Sequence, residues 1–338
     1  MKKEAMLYKK LGDGKVRCNL CAHHCRIEDG DSGFCRVRQN DSGTLYTIAF
    51  GETIARSVDP IEKKPLYHFL PGTLSFSIAT AGCNFHCGFC QNWQISQAAS
   101  ERGIVGDGRP FSPAQAAAEA EKNQCASIAY TYTEPTIFFE YARETALAAR
   151  EKGIKNVFVT NGYMSRQALD EAASWLDAAN VDLKAWSDDY YREVCKGRLK
   201  PVLDTIAAMK RTGIWVEVTT LVIPKDNDAE EDLKGIAGFI AEVGTEIPWH
   251  ISRFHPDYRF DSHAATPVET LEKAERIGRD AGLKYVYLGN VARERDTLCP
   301  ACGTPVIRRS MMGVRDVHLN GGVCAHCGAA VDGVWAQG

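Results

Sequence analysis

Leu74-Ser75-Phe76-Ser77-Ile78-Ala79-Thr80-Ala81-Gly82-Cys83-Asn84-Phe85-His86-Cys87-Gly88-Phe89-Cys90 decides how this chain reads. Leu74–Thr80 has the look of a strand, and a C-x3-C-x2-C triplet follows at once. The residues after it, Gln91–Ser96, open a helix, so the triplet lies in a strand-to-helix loop. Ala81 and Gly82 are small enough to let backbone approach a bulky group. Iron–sulfur clusters are usually held by four thiolates. A compact triplet with no fourth cysteine close by leaves one iron open, and an open metal position can bind substrate or cofactor. Two plainer readings compete: a closed zinc site with His86 as fourth ligand, and three thiols packed as small hydrophobes.

Outward from this loop, short apolar runs alternate with longer amphipathic ones. Strands are expected at Leu74–Thr80, Ser127–Tyr132, Asn156–Thr160, Ala179–Leu183, Trp215–Ile223, His250–Phe254 and Tyr285–Leu288. Helices are expected at Pro113–Lys122, Thr136–Lys152, Ser165–Ala178, Pro201–Thr212, Asp228–Val243 and Pro267–Ala281. Such alternation implies βαβ units and a parallel sheet. The expected class is α/β, a partial (βα)6-type TIM-like barrel over residues 73–290, with its site at the C-terminal strand ends. A Cys-rich metal-binding extension over 1–72 precedes it, and a zinc-ribbon-like four-cysteine module over 291–338 follows. Within the extension, the prolines of Asp59–Gly72 forbid a continuous helix or a central strand. That stretch reads as an extended arm packed on something.

The 338 residues are 45% hydrophobic and 25% charged, with a net charge of -3. A sizeable core is available, and no global basic field draws the chain to nucleic acid or anionic lipid. Without an apolar run near 18 residues or a signal-peptide stretch, the expected location is cytoplasmic, with no membrane partner. Thirteen cysteines are many for a reducing compartment, where clustered thiols usually mean metal or catalysis. Two C-x2-C knuckles, Cys299/Cys302 and Cys324/Cys327, read as a structural zinc site. Cys18, Cys21, Cys25 and Cys35 can close a zinc site, with His23 or His24 as substitutes, or hold an auxiliary iron–sulfur cluster. Cys125 and Cys195 stand alone and read as packing residues.

A C-x3-C-x2-C loop after the first strand of a βα-repeat chain resembles the radical S-adenosylmethionine (SAM) enzymes. The resemblance implies a [4Fe–4S] cluster on Cys83, Cys87 and Cys90, SAM on its open iron, and reductive cleavage to a 5′-deoxyadenosyl radical that abstracts hydrogen. It also implies a one-electron donor such as flavodoxin or ferredoxin. Tyr132-Thr133-Glu134 looks like the family segment that receives the SAM amino group, with Tyr132-Thr133 in place of the usual glycines. Asn161 can contact a ligand or cap a helix. Asp182 and Lys184 share one face, and the glycyl-radical-enzyme activases carry the same Asp-Leu-Lys. In those activases a histidine at the sixth strand contacts SAM, which makes His255 the candidate and Arg253 the second. Activases place an arginine on the fifth strand; this chain has Glu217-Val218-Thr219-Thr220 there.

Cys-Asn-Leu-Cys at 18–21, Asp-Pro-Ile-Glu-Lys-Lys-Pro at 59–65, His-Phe-Leu-Pro-Gly at 68–72, Cys-Gln-Asn-Trp at 90–93, Arg-Phe-His-Pro at 253–256 and Gly-Asn at 289–290 resemble one branch. This is the AmmeMemoRadiSam-system radical SAM enzymes, relatives of the pyruvate formate-lyase activases. AMMECR1-like and Memo-like companion proteins are implied, but no substrate: a protein, peptide, RNA or metabolite all remain open. A dedicated glycyl-radical activase is the nearest alternative. A metal-stapled scaffold or nucleic-acid-binding protein is the alternative from another class, with Arg308, Arg309 and Arg315 as its basic edge.

Overall fold

The strands of the main sheet pair in the order in which they are synthesised. The computed structural model describes residues 2–106, 109–293, 295–310 and 313–336. One eight-stranded sheet runs β1 (Thr53–Pro60), β2 (Leu74–Thr80), β3 (Ser127–Tyr130), β4 (Lys155–Thr160), β5 (Ala178–Asp182), β6 (Trp215–Val222), β7 (Trp249–Arg253) and β8 (Val286–Gly289). All neighbours from β2 to β8 are parallel, while β1 is antiparallel to β2, so the sheet is mixed. No pairing joins β1 to β8 among the described residues.

Local chemistry explains the connecting helices. In α1 (Pro113–Lys122), Ser112 and Gln115 form a reciprocal capping box with proline at the first position, which satisfies otherwise orphaned N–H groups. α2 (Phe139–Arg150) and α3 (Arg166–Ala172) follow, then α4 (Leu199–Arg211), α5 (Glu230–Val243) and α6 (Val268–Asp280). α4 buries Leu199, Val202, Ile206 and Met209, a helical spacing whose burial contributes about 1.5–3 kcal/mol per large side chain. α3 stops at Ala172, short of the expected Ala178. The Asp177 carboxylate accepts from the Asn156 amide at 2.8 Å and from Lys155 at 3.0 Å, which commits the chain to strand β5 beside β4.

Alternation along the strands sorts one sheet face into two layers, because residues two apart point the same way. In the lower layer, Ala129, Val157 and Ala178 pack against Ile61, Leu66 and Phe69 of the proline-rich arm. Asn180 donates to the Pro65 carbonyl at 2.8 Å. The fully buried Glu217 carboxylate accepts from the Tyr67 and His68 amides at 2.9 and 2.8 Å and lies 2.6 Å from His250 Nε2. The arm therefore covers this layer. Moving two residues up each strand gives Thr131, Val159, Asp182, Thr219 and Ser252, which line an open cavity.

The sheet begins at Thr53, inside the segment that composition assigns to the extension. Pro60 is tolerated because it ends an edge strand. Residues before it form two small antiparallel sheets. Arg38 from one of them makes a buried ion pair with Glu140 of α2, its Nη1 reaching both carboxylate oxygens at 2.9 and 3.0 Å. At the other end, Thr297–Leu298, Pro305–Ser310 and Gly313–Val317 form a small antiparallel sheet. Arg309 of that sheet donates to the Tyr67 carbonyl at 2.7 Å, so the C-terminal module grips the arm. No helix among the described residues is long and apolar enough to cross a membrane.

Candidate active site

The cysteine loop leaves β2 through Gly82, whose φ of +103° favours glycine. A Cβ there would stand 3.1 Å from Ile137 Cδ1 and 3.2 Å from the Cys35 carbonyl oxygen. Phe85 anchors the loop in the core beside Tyr163 and Tyr191. Gly197 makes room for it, since a Cβ there would fall 2.3 Å from the Phe85 ring. The Phe85 amide donates to Cys83 Sγ at 3.3 Å, and Cys90 Sγ lies 3.2 Å from Ser96 Oγ. His86 packs against Phe34 with its ring tilted by 31° and its centroid 4.5 Å away. The ligand atoms of Cys83, Cys87, Cys90 and His86 are not gathered within 4.8 Å of one another, as a closed zinc site would require.

Cys83, Cys87 and Cys90 line a cavity of about 310 Å³ together with Glu134, Asn161, Asp182 and Lys184, and Asn161 Nδ2 lies 3.9 Å from Cys83 Sγ. Seven of the residues singled out in the sequence thus meet at the C-terminal strand ends. Arg253 and His255 do not. Arg253 donates from Nε to the Thr266 carbonyl at 2.7 Å, and His255 is exposed. Strand alternation is the reason: Ser252, in step with His250, faces the cavity, so its neighbour Arg253 cannot. Thr219 and Ser252 are lining residues that motif matching misses. Counting in twos from Glu217 and His250 would have found both.

Glu134 closes the gap between β3 and β4. Its carboxylate accepts from the Thr136 amide at 3.0 Å, the Thr160 hydroxyl at 2.7 Å and the Asn161 amide at 2.8 Å. Burial raises its pKa against these donors, which favour the charged form. Tyr132, where the family carries glycine, adopts φ +63°. Its hydroxyl donates to Asp59, and the Lys64 ammonium sits 4.6 Å from its ring centroid.

Lys184 Nζ lies 2.9 Å from Asp182 Oδ2. Burial alone would lower the Lys184 pKa, but Asp182 and the thiols of Cys87 and Cys195 hold it well above the ordinary value. A fixed cation thus faces the cavity. The Cys87 thiol is shifted down, first by a hydrogen bond with Cys195 and then, against burial, by Lys184. The lone Cys195, a packing residue by sequence, sits against the triplet after all. These features suit an anionic cluster: three thiols line one open cavity, and a buried cation, Lys184, lines it with them.

Two further thiol groups are built differently. Cys299 and Cys327 stand 3.6 Å apart and Cys302 and Cys324 3.9 Å apart, and the four sulfurs lie within 4.8 Å of one another. Both knuckles turn alike. The Gly303 amide donates to the Cys299 carbonyl and the Gly328 amide to the Cys324 carbonyl, each at 2.9 Å. Both glycines have positive φ, as tight turns around a metal require. This group can hold one tetrahedral ion. Cys18, Cys21, Cys25 and Cys35 line a separate buried cavity.

Residues 77–236 match the family model of the radical SAM superfamily. MJ0808, an uncharacterized protein of Methanocaldococcus jannaschii, is 44% identical over 98% of this chain and 99% of its own length. The pyruvate formate-lyase 1-activating enzyme of Escherichia coli K12 is 21% identical over 44% of this chain and 65% of its own. Residues 77–236 thus form a radical SAM superfamily domain. A crystal structure of a radical SAM methyltransferase from Sphaerobacter thermophilus shares the fold, with a TM-score of 0.52 at 18% identity, over 79% of this chain and 78% of the other. As in radical SAM proteins generally, the family implies a [4Fe–4S] cluster and SAM, and homology extends to the pyruvate formate-lyase activating enzymes.

Proposed function

We propose that this chain is a radical SAM enzyme whose cluster is held by Cys83, Cys87 and Cys90 and whose SAM occupies the cavity at the strand ends. One observation carries the reading: three thiols line the same cavity as Lys184, Asp182, Glu134 and Asn161. When bound, the cluster and SAM supply reductive cleavage and a 5′-deoxyadenosyl radical for hydrogen abstraction. The chain's own residues bind and orient. Lys184 offers an ammonium to the SAM carboxylate, a role left vacant on β6, where Glu217 is occupied by the arm. Glu134 offers an acceptor to the SAM ammonium, and Asn161, whose Oδ1 accepts from the Tyr163 amide at 2.9 Å and whose Nδ2 donates to Asn84 Oδ1 at 2.8 Å, presents its Nδ2 donor beside Cys83. The arm and the sheet, curled as a partial barrel, keep water from the cavity floor.

Anaerobically purified protein should be brown and, with SAM and dithionite, form 5′-deoxyadenosine. A colourless, iron-free protein under those conditions would identify a scaffold instead. Lys184→Met should raise KM for SAM about 10–100-fold, the loss of one charge-assisted hydrogen bond, with iron content unchanged. An unaltered KM would remove Lys184 from the site.

Within the superfamily, the arm and strand-end motifs at 59–65, 68–72 and 253–256 support the AmmeMemoRadiSam branch. A flavodoxin- or ferredoxin-type donor and AMMECR1-like or Memo-like companions would then accompany it. Activation of a glycyl-radical enzyme is the second reading, favoured by the activating-enzyme relative. A glycyl-radical EPR signal on a partner protein would establish it.

We assign zinc to Cys299, Cys302, Cys324 and Cys327, because Zn–S bonds of about 2.3 Å place tetrahedral sulfurs about 3.8 Å apart. Cys324→Ser should release about one zinc per chain and speed amide exchange across residues 297–331, since a module below ~50 residues rarely folds unaided. Unchanged zinc content and exchange would refute the assignment.

A further inference from the structure

We propose that Cys18, Cys21, Cys25 and Cys35 hold a second iron–sulfur cluster, a four-thiolate [4Fe–4S] site set directly behind the Cys83–Cys90 loop. All four thiols line one buried cavity. Their spacing separates this site from the C-terminal one. Among the described residues, Cys299, Cys302, Cys324 and Cys327 are the only set of three or more His, Cys, Asp or Glu ligand atoms gathered within 4.8 Å. No three of the N-terminal thiols come that close. Zinc at about 2.3 Å from each sulfur demands edges of about 3.8 Å. A cubane gives each thiolate its own iron and so holds the thiolates farther apart.

The space between them agrees. The cavity measures about 20 Å³, by a measure in which one water needs roughly 10–15 Å³. Four sulfurs drawn around a single zinc ion leave no void of that size. Gly33 keeps one wall open, since a Cβ there would stand 3.3 Å from Ile27 Cδ1 and 3.8 Å from Cys25 Sγ.

An independent observation marks the cavity as a place for an anion. Arg38 lines it and is 2% exposed. Its Nη1 serves Glu140 and its Nη2 the Met6 carbonyl at 2.6 Å, but its buried Nε has no hydrogen-bond partner. An unpartnered buried donor is costly. A cluster sulfide or ligating thiolate in the cavity would accept that N–H. The Arg38 charge would offset part of the cluster's negative charge.

The two cysteine sites stand back to back. Asn84 lines the N-terminal cavity, and its Oδ1 accepts from Asn161, a residue of the SAM cavity, at 2.8 Å. The Asn84 carbonyl lies 2.7 Å from His23 Nε2. Gly82 separates Cys83 from the Cys35 backbone with no room for a Cβ.

Metal analysis and Mössbauer spectroscopy of the anaerobically isolated full chain test the site. About eight irons and one zinc per chain are expected, at four irons per cubane. The Cys83→Ala/Cys87→Ala/Cys90→Ala variant should keep about four irons and its brown colour. Adding Cys21→Ala and Cys25→Ala should remove both. An iron-free triple variant, or wild-type protein with four irons and two zincs, would overturn the proposal. Should the triple variant not fold, the wild-type count decides alone. Four irons retained in both wild type and triple variant would uphold this site and defeat the SAM-cluster reading.

Discussion

Cys87→Ala protein is expected to lose the cavity-facing cluster and to cleave SAM at under about one thousandth of the wild-type rate, a barrier increase of about 4 kcal/mol. Cys87 is the most buried of the three thiols. It is also the one of the three whose pKa is lowered, first through Cys195 and then, against burial, through Lys184. No other thiol lines this cavity. Cys195 touches Cys87 from behind, so the Cys87→Ala/Cys195→Ala pair closes the route by which a neighbour could replace the missing ligand. The measurement is 5′-deoxyadenosine formed per reduced enzyme. Full cleavage by the double variant would end the argument that this loop carries the catalyst.

Glu217→Ala should lower the urea midpoint by an amount equivalent to about 4 kcal/mol and the melting temperature by about 5–6 °C. Its carboxylate is fully buried and serves Tyr67, His68, His250 and, at 3.1 Å, the Trp215 indole. Truncation strands all four donors, and each stranded donor is costly. An unchanged midpoint would show that the arm is held by its apolar contacts alone.

The same network predicts acid lability. Burial lowers the His68 pKa to about 4 against the pull of Glu217. The unfolded histidine titrates near about 6.5. Between those values the unfolded chain binds the extra proton, so stability falls as pH drops through that window. Burial would raise the Glu217 pKa, but His250, His68 and the Tyr67 amide reverse this and lower it. A depressed carboxylate gives stability that is likewise lost on acidification, below its unfolded value of about 4.3. The urea midpoint should therefore be lower at about pH 5 than at about pH 7. Equal midpoints would contradict the shift.

The contrast between Lys184 and His255 shows where sequence reading ends. Asp182 and Lys184 were legible because their alternation with Leu183 puts them on one face wherever the strand lies. His255 was chosen by likeness to a motif, and it lies beyond the end of β7. The Glu217 departure was visible as a residue type, but its partner is an arm some 150 positions upstream, a distance no local pattern spans. Cys195 was unremarkable in its own stretch and meets Cys87 only through the folded chain.

Local rules determined what is local. Cysteine spacing, strand and helix periods, the capping box at Ser112, the glycine after each C-terminal knuckle and the proline limits of the arm all follow from neighbouring residues, whose sterics and hydrogen bonds act within a few positions. Tertiary structure alone decided which strand positions face the cavity, that the arm covers its lower layer, and how far apart the thiols of each group stand. Those depend on contacts between segments far apart in sequence, where packing, not propensity, sets the geometry.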